Sequence, residues 1–256
     1  MADAQRNGLS IQHKILLVGE GDFSFSLSLA LKLGSASNMV STSLDTKGEL
    51  SLKYDKAGSN LQLLTTMGAQ VLHNVDATQL NATAELCGRK FDRIIFNFPH
   101  AGFHHGHGEA SQWVIAQHKQ LVYSFLKSAS GMLRPNGQVH VTHKTAQPFC
   151  CWNIVELAHR NSLVLVEQVD FRVGDYPGYS NKRGDGYRAD ESFPVGLCSN
   201  FKFAFDPCAE TEDCEAHRAL RCPCRKIWEI RDNRQNSSLG INHHPRILKI
   251  KSKSIN

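Results

Sequence analysis

The 256-residue chain has no run approaching the roughly 18–20 consecutive apolar residues that a membrane helix needs. Its first 14 residues are polar and lack the apolar centre of a secretory signal. A soluble protein is therefore expected, in a cytosolic, nuclear or organellar compartment and not secreted. Eight cysteines without an export signal read as reduced thiols, not as a disulfide framework. The histidines at 100, 104, 105 and 107 lack a Cys-x2-Cys pair beside them, and the cysteines at 208, 214, 222 and 224 with His217 contain no such pair, so both groups read as solvated loops and no metal is expected. No internal repeat is visible. With 41% hydrophobic and 21% charged residues, the chain can build the core of one large α/β domain.

The net charge of +5 is unevenly spread. Residues 1–206 carry 19 Lys+Arg against 18 Asp+Glu, while residues 207–256 carry 10 against 6. Apolar periodicity also fades from Pro207. The expected organisation is a polar extension over 1–12, a folded domain over 13–206, and a basic, cysteine-containing, flexible tail over 207–256.

What is present within 13–206 is an alternation of strand and helix signals, which argues for a mostly parallel, doubly wound sheet with helices on both faces. Apolar or β-branched runs at 15–18, 39–44, 70–75, 91–98, 138–143, 163–171 and 201–205 read as strands. Helical patterns lie at about 24–33, 47–66, 78–87, 111–130 and 149–160. Segment 134–137, Arg-Pro-Asn-Gly, is a turn, and Cys150 and Cys151 are expected to pack at a helix start.

The most informative segment joins the first strand to the first helix through Gly19-Glu20-Gly21-Asp22-Phe23. Glycines here allow a sharp turn and close approach of a nucleotide-like cofactor, and Asp22 can cap the helix. The dinucleotide fingerprint needs a third glycine, but Ser24 stands there. Glu20 would repel a pyrophosphate, whereas the positive sulfonium of S-adenosyl-L-methionine tolerates or welcomes a carboxylate. Asp45 and Asp76 close the next two strands, where one can accept from ribose hydroxyls and the other from an adenine amino group. Electrostatics thus favour S-adenosyl-L-methionine over NAD.

A second element, Asn97-Phe98-Pro99-His100, ends the fourth strand and faces the same crevice. It resembles the Asn/Asp-Pro-Pro-Tyr turn of methyltransferases that act on nucleobase nitrogens. Asn97 is the expected orienting group, His100 the first candidate base or stacking ring, and Lys144 a partner for negative charge developing on a carbonyl oxygen. Tyr176, Tyr179, Lys182 and Arg183, continued by Tyr187 and Arg188, interleave rings and positive charges as an RNA-binding segment would.

The ordered set LVGEGDFSFS (17–26), TSLD (42–45), NVDAT (74–78), FDRIIFNFPHAG (91–102), VHVTHK (139–144) and YPGYSNKRGDG (176–186) resembles the uridine-N3 methyltransferase family acting on large-subunit ribosomal RNA. The likeness covers roughly residues 13–205. It implies a Rossmann-like class I methyltransferase with a seven-stranded sheet whose last strand is antiparallel. It also implies S-adenosyl-L-methionine as methyl donor and uridine of ribosomal RNA as acceptor. A catalytically weak relative that keeps the fold to bind RNA or protein is the alternative.

Overall fold

The computed structural model describes residues 8–103 and 106–206, so the expectations for 207–256 and for His104 and His105 lie outside the described residues. Seven strands form one sheet: β1 (Ile15–Val18), β2 (Met39–Thr42), β3 (Gln70–Leu72), β4 (Phe91–Asn97), β5 (Leu133–Lys144), β6 (Leu163–Asp170) and β7 (Cys198–Phe205). Their order is β3-β2-β1-β4-β5-β7-β6. The first five run parallel, and β7 is antiparallel to both β5 and β6. The expected class I fold is present. β7 sits inside the sheet, however, leaving β6 at the edge.

Both faces of the central strands are buried, which explains their near-continuous apolar sequence. Successive residues alternate between two cores. Leu16, Val18, Ile94 and Phe96 pack toward Val122, Phe125 and Leu126 of α4 (Gln112–Ser130) and Leu157 of α5 (Ile154–His159). Ile15, Leu17 and Ile95 face the other way, onto Leu29 of α1 (Ser24–Leu33) and Leu64 of α3 (Ala57–Thr66). Leu9, ahead of β1, also joins this second core.

Three expected helices are interrupted, each for a visible reason. Segment 47–66 divides into α2 (Lys47–Lys53) and α3 because Tyr54 turns extended (φ −137°, ψ 115°) to bury its ring. The 78–87 helix is replaced by a short 3₁₀ stretch, Ala77–Ala82, kinked at Gln79. Segment 149–160 breaks at Asn153 (φ 48°) into a 3₁₀ turn and α5. Cys150 and Cys151 are exposed there, and Trp152 does the packing. The 134–137 turn lies within β5 as an irregularity opposite Asp92. Among the described residues no helix is long and apolar enough to cross a membrane.

The chain runs β1, β2, β3 outward and then returns to place β4 against β1, with Val18 opposite Phe96. This reversal makes a crevice beyond the carboxyl ends of β1 and β4, the standard ligand position in open α/β sheets. The Gly19 and Asn97 turns both emerge there.

Candidate active site

The turn after β1 is held tightly. Gly19 has φ +67°, and a Cβ there would lie 2.4 Å from the Phe96 ring. Only glycine satisfies both the conformation and the space. The Glu20 N–H donates to Thr42 O, and the Ser43 hydroxyl donates to Glu20 O at 2.6 Å. A Cβ at Gly21 would meet the Tyr54 hydroxyl at 3.2 Å.

Glu20 turns inward. Its Oε2 accepts from the Ser26 N–H at 3.0 Å and the Ser26 hydroxyl at 2.7 Å, inside the first turn of α1. Burial pushes its pKa up to about 7, against the pull of these two hydrogen bonds. The carboxylate therefore occupies a helix-start amide that a pyrophosphate would need. Asp22 accepts from Ser24 N–H at 2.9 Å, so it serves the helix start as expected, although the cap position itself is Phe23 with φ 61°. Phe23 is fully buried and meets His73 edge-on, so it supports the turn from the core.

Asp45 pairs with Lys53 Nζ at 2.5 Å. Asp76 uses Oδ1 to accept from both Thr78 N–H and the Thr78 hydroxyl, so it caps the 3₁₀ stretch. One cavity of about 480 Å³ gathers Gly19, Glu20, Gly21, Asp22, Asp45, Asp76, Asn97, His100, Tyr179, Lys182 and Arg183. Pro99 and Lys144 line a second cavity of about 220 Å³, together with Phe103, Glu109, Phe149 and Trp152. Phe98, His100, Lys182, Arg183 and Phe193 belong to both and form the shared wall.

His100 is less available as a base than its position suggests. Its Nδ1 accepts from the Gly102 N–H at 3.2 Å, and its Nε2 meets Glu109 Oε1 at 3.1 Å. Buried His118 repeats the pattern, with Nδ1 accepting from Ala101 N–H and Nε2 3.4 Å from Glu109 Oε2. An Nδ1 that accepts carries no proton, so both rings carry theirs on Nε2 and point it at one carboxylate. The two histidines hold the Glu109 pKa well below the usual carboxylate range. These three groups lie within 4.8 Å of one another. Binding a cation would need both Nε2 lone pairs, which forces protons onto Nδ1 against two backbone N–H groups. The arrangement suits a hydrogen-bonded wall, and His100 contributes a ring tilted against Phe103.

Lys144 Nζ lies over the rings of Phe149 at 4.7 Å and Phe193 at 4.9 Å, without an ion-pair partner among the described residues. Partial burial lowers its pKa. It faces the aromatic cavity as an unneutralised donor.

The expected RNA-binding residues fare differently. Tyr176 is buried, stacked on Phe171 and tilted against Phe25, and it reaches neither cavity. The Tyr176 ring cannot stack on a base without leaving the core, whereas Tyr179 packs edge-on to Phe25 and lines the larger cavity. Lys182 pairs with Asp190 at 2.6 Å and lies 3.9 Å from Asp22, so it ties its segment to the first turn. Arg183 sits over Phe103, while Tyr187 is 97% exposed.

Glu109, His118, Phe149, Trp152 and Phe193 were not expected at the site. A lone acid after a run of histidines was the available signal for Glu109, and the others resemble ordinary core residues in sequence.

A sequence profile described as BMT5-like rRNA (uridine-N3-)-methyltransferase matches residues 16–183. The chain is 54% identical over 201 residues to the heavy metal-associated isoprenylated plant protein 41 of Arabidopsis thaliana, covering 78% of this chain but only 39% of that protein. It is 25% identical over 222 residues to the 25S rRNA (uridine(2634)-N(3))-methyltransferase of Saccharomyces cerevisiae, covering 66% of this chain and 65% of the yeast protein. In structure it resembles the glycopeptide N-methyltransferase MtfA, solved with sinefungin, at a TM-score of 0.50 and 11% identity, covering 79% of this chain and 83% of that one. The profile match spans more than half of the sequence, and the chain belongs to the BMT5-like family.

Proposed function

We propose that this protein is an S-adenosyl-L-methionine-dependent methyltransferase that methylates N3 of uridine in ribosomal RNA, which gives it a nucleolar place of work. One observation carries the reading. An acid-rimmed cavity and an aromatic cavity meet at the sheet's switch point across a wall that contains Phe98 and His100. Family membership supports the choice of base and RNA.

The first cavity suits the cofactor. Glycine at 19 lets the turn pack directly on the Phe96 ring at the cavity edge, and Glu20 already occupies the helix-start amide, which disfavours a dinucleotide. Asp45 is placed to accept from ribose hydroxyls, and Asp76 keeps Oδ2 for an adenine amino group. When bound, S-adenosyl-L-methionine supplies a methyl group on positively charged sulfur, which leaves as a neutral thioether once a nitrogen lone pair takes the methyl carbon. In the second cavity, Phe103 and Phe149 offer ring surface to a single base, with Trp152 packed behind them. Lys144 donates to a uracil carbonyl as charge develops on it, which makes N3 easier to deprotonate. The N3 proton passes to solvent, because both nitrogens of His100 are engaged. Positioning supplies the rest of the acceleration.

The test is incubation of the purified protein with S-adenosyl-L-methionine and ribosomal RNA, followed by nucleoside mass spectrometry. The expected product is 3-methyluridine. Methylation confined to another nucleoside, or none with correctly folded protein, would refute the proposal.

A further inference from the structure

Three polar side chains on adjacent strands form a row. Asn97 on β4 lies opposite Thr142 on β5, and Thr142 lies opposite Asn200 on β7. The Thr142 hydroxyl donates to Asn97 Oδ1 at 2.6 Å, and the same oxygen accepts from Asn200 Nδ2 at 3.1 Å. A hydroxyl has one proton, so the row has a direction. In this direction Asn97 Oδ1 is committed to the strand side. Asn97 Nδ2 is buried and has no hydrogen-bond partner among the described residues, and Asn97 lines the large cavity beside the shared wall.

The opposite direction would give the hydroxyl proton to Asn200 Oδ1 and turn Asn97 Oδ1 toward the cavity. Electrostatics separate the two. The carboxylates of Glu20, Asp22, Asp45, Asp76 and Asp185 outnumber the cations of Lys53, Lys182 and Arg183 in the same cavity lining, and this balance favours the positive N–H₂ end of an amide over its oxygen. Lys144, two residues beyond Thr142 on β5, adds a second donor on the acceptor side.

Donors on the protein ask for acceptors on the base. N3 of uracil lies between two carbonyl oxygens, whereas the exocyclic nitrogens of cytosine and adenine are themselves donors. A donor facing a donor leaves both unpaired once contact has stripped their water, which is costly. We infer that Thr142 and Asn200 are specificity-determining residues: by holding Asn97 with its N–H₂ outward, they select a ring nitrogen flanked by carbonyls over an exocyclic amine. The inference rests on the uridine reading above, and assigns that selectivity to two residues outside the cavity lining.

The experiment is an NMR titration of the protein saturated with S-adenosylhomocysteine, using UMP and CMP as probes. Wild type is expected to bind UMP at least about tenfold more tightly than CMP. Asn200→Asp, whose carboxylate can only accept, takes the Thr142 proton and reverses the row, so the ratio should fall to one or invert. Thr142→Val removes the direction and should bring the ratio close to one, while Thr142→Ser restores it. S-adenosylhomocysteine affinity should hold in all three, which reports an intact fold. Absence of UMP binding, a wild-type ratio near one, or a ratio untouched by both Asn200→Asp and Thr142→Val would overturn the inference. Wild type that prefers UMP yet makes no 3-methyluridine would leave the inference standing and remove the proposed activity instead.

Discussion

The two cavities at the switch point are built in opposite ways. The larger is lined mainly by turns at successive strand ends and carries five carboxylates, Glu20, Asp22, Asp45, Asp76 and Asp185. The smaller is assembled from distant segments, is walled by Phe103, Phe149, Trp152 and Phe193, and carries Lys144, whose ammonium has no ion-pair partner among the described residues. Each complements its proposed occupant, a cation-bearing nucleoside in one and a base gaining negative charge in the other. A mutation that acts on one cavity should therefore leave the other's function standing.

The largest expected effect belongs to Gly19→Ala. The new Cβ must move Phe96, which also packs edge-on against Phe125, and must hold a positive φ. Stability should fall by about 2 kcal/mol or more, read by denaturant unfolding, and S-adenosylhomocysteine binding should drop more than about a hundredfold. Wild-type affinity in this variant would show that the turn does not hold the cofactor.

Lys144→Met tests the other side. Losing a donor aimed at developing charge costs about 10²–10³ in turnover, with S-adenosylhomocysteine affinity unchanged. A matching loss of affinity would mean that the two cavities are not separable.

Glu20→Gln asks whether the buried acid carries a cost. Its folded-state pKa of about 7 lies above the ordinary 4.5, so its favourable contribution is complete below pH 4.5 and is lost as pH rises through about 7. Wild type should thus lose up to about 3 kcal/mol of stability between pH 4.5 and 8 from this group. Unfolding curves of the variant should lack that slope, and an identical slope would locate the titration elsewhere.

The same contrast explains what the sequence disclosed. In the first cavity Gly19, Asp45 and Asp76 each follow their own strand, so they could be read in chain order from local patterns. The inward turn of Glu20 has no such signal, because it depends on Ser26 and on the backbone fold around Thr42. The second cavity has no local signature. Trp152 and Phe149 look like core residues, and Glu109 acquires meaning only when His100 and His118 converge on it. Tyr176 misled in the opposite sense, since a ring in a Gly-rich, basic segment suggests stacking on a base until Phe25 and Phe171 are seen packed against it. The helix breaks at Tyr54 and Asn153 were likewise tertiary decisions, which helical periodicity does not record.

The most direct measurement is titration calorimetry of S-adenosylhomocysteine into wild type, Asp45→Ala and Lys144→Met. Binding to wild type, about tenfold or more weaker binding to Asp45→Ala, and unchanged binding to Lys144→Met are the predicted results. No binding to wild type, or equal binding to wild type and Asp45→Ala, would contradict the assignment of the acid-rimmed cavity to the cofactor.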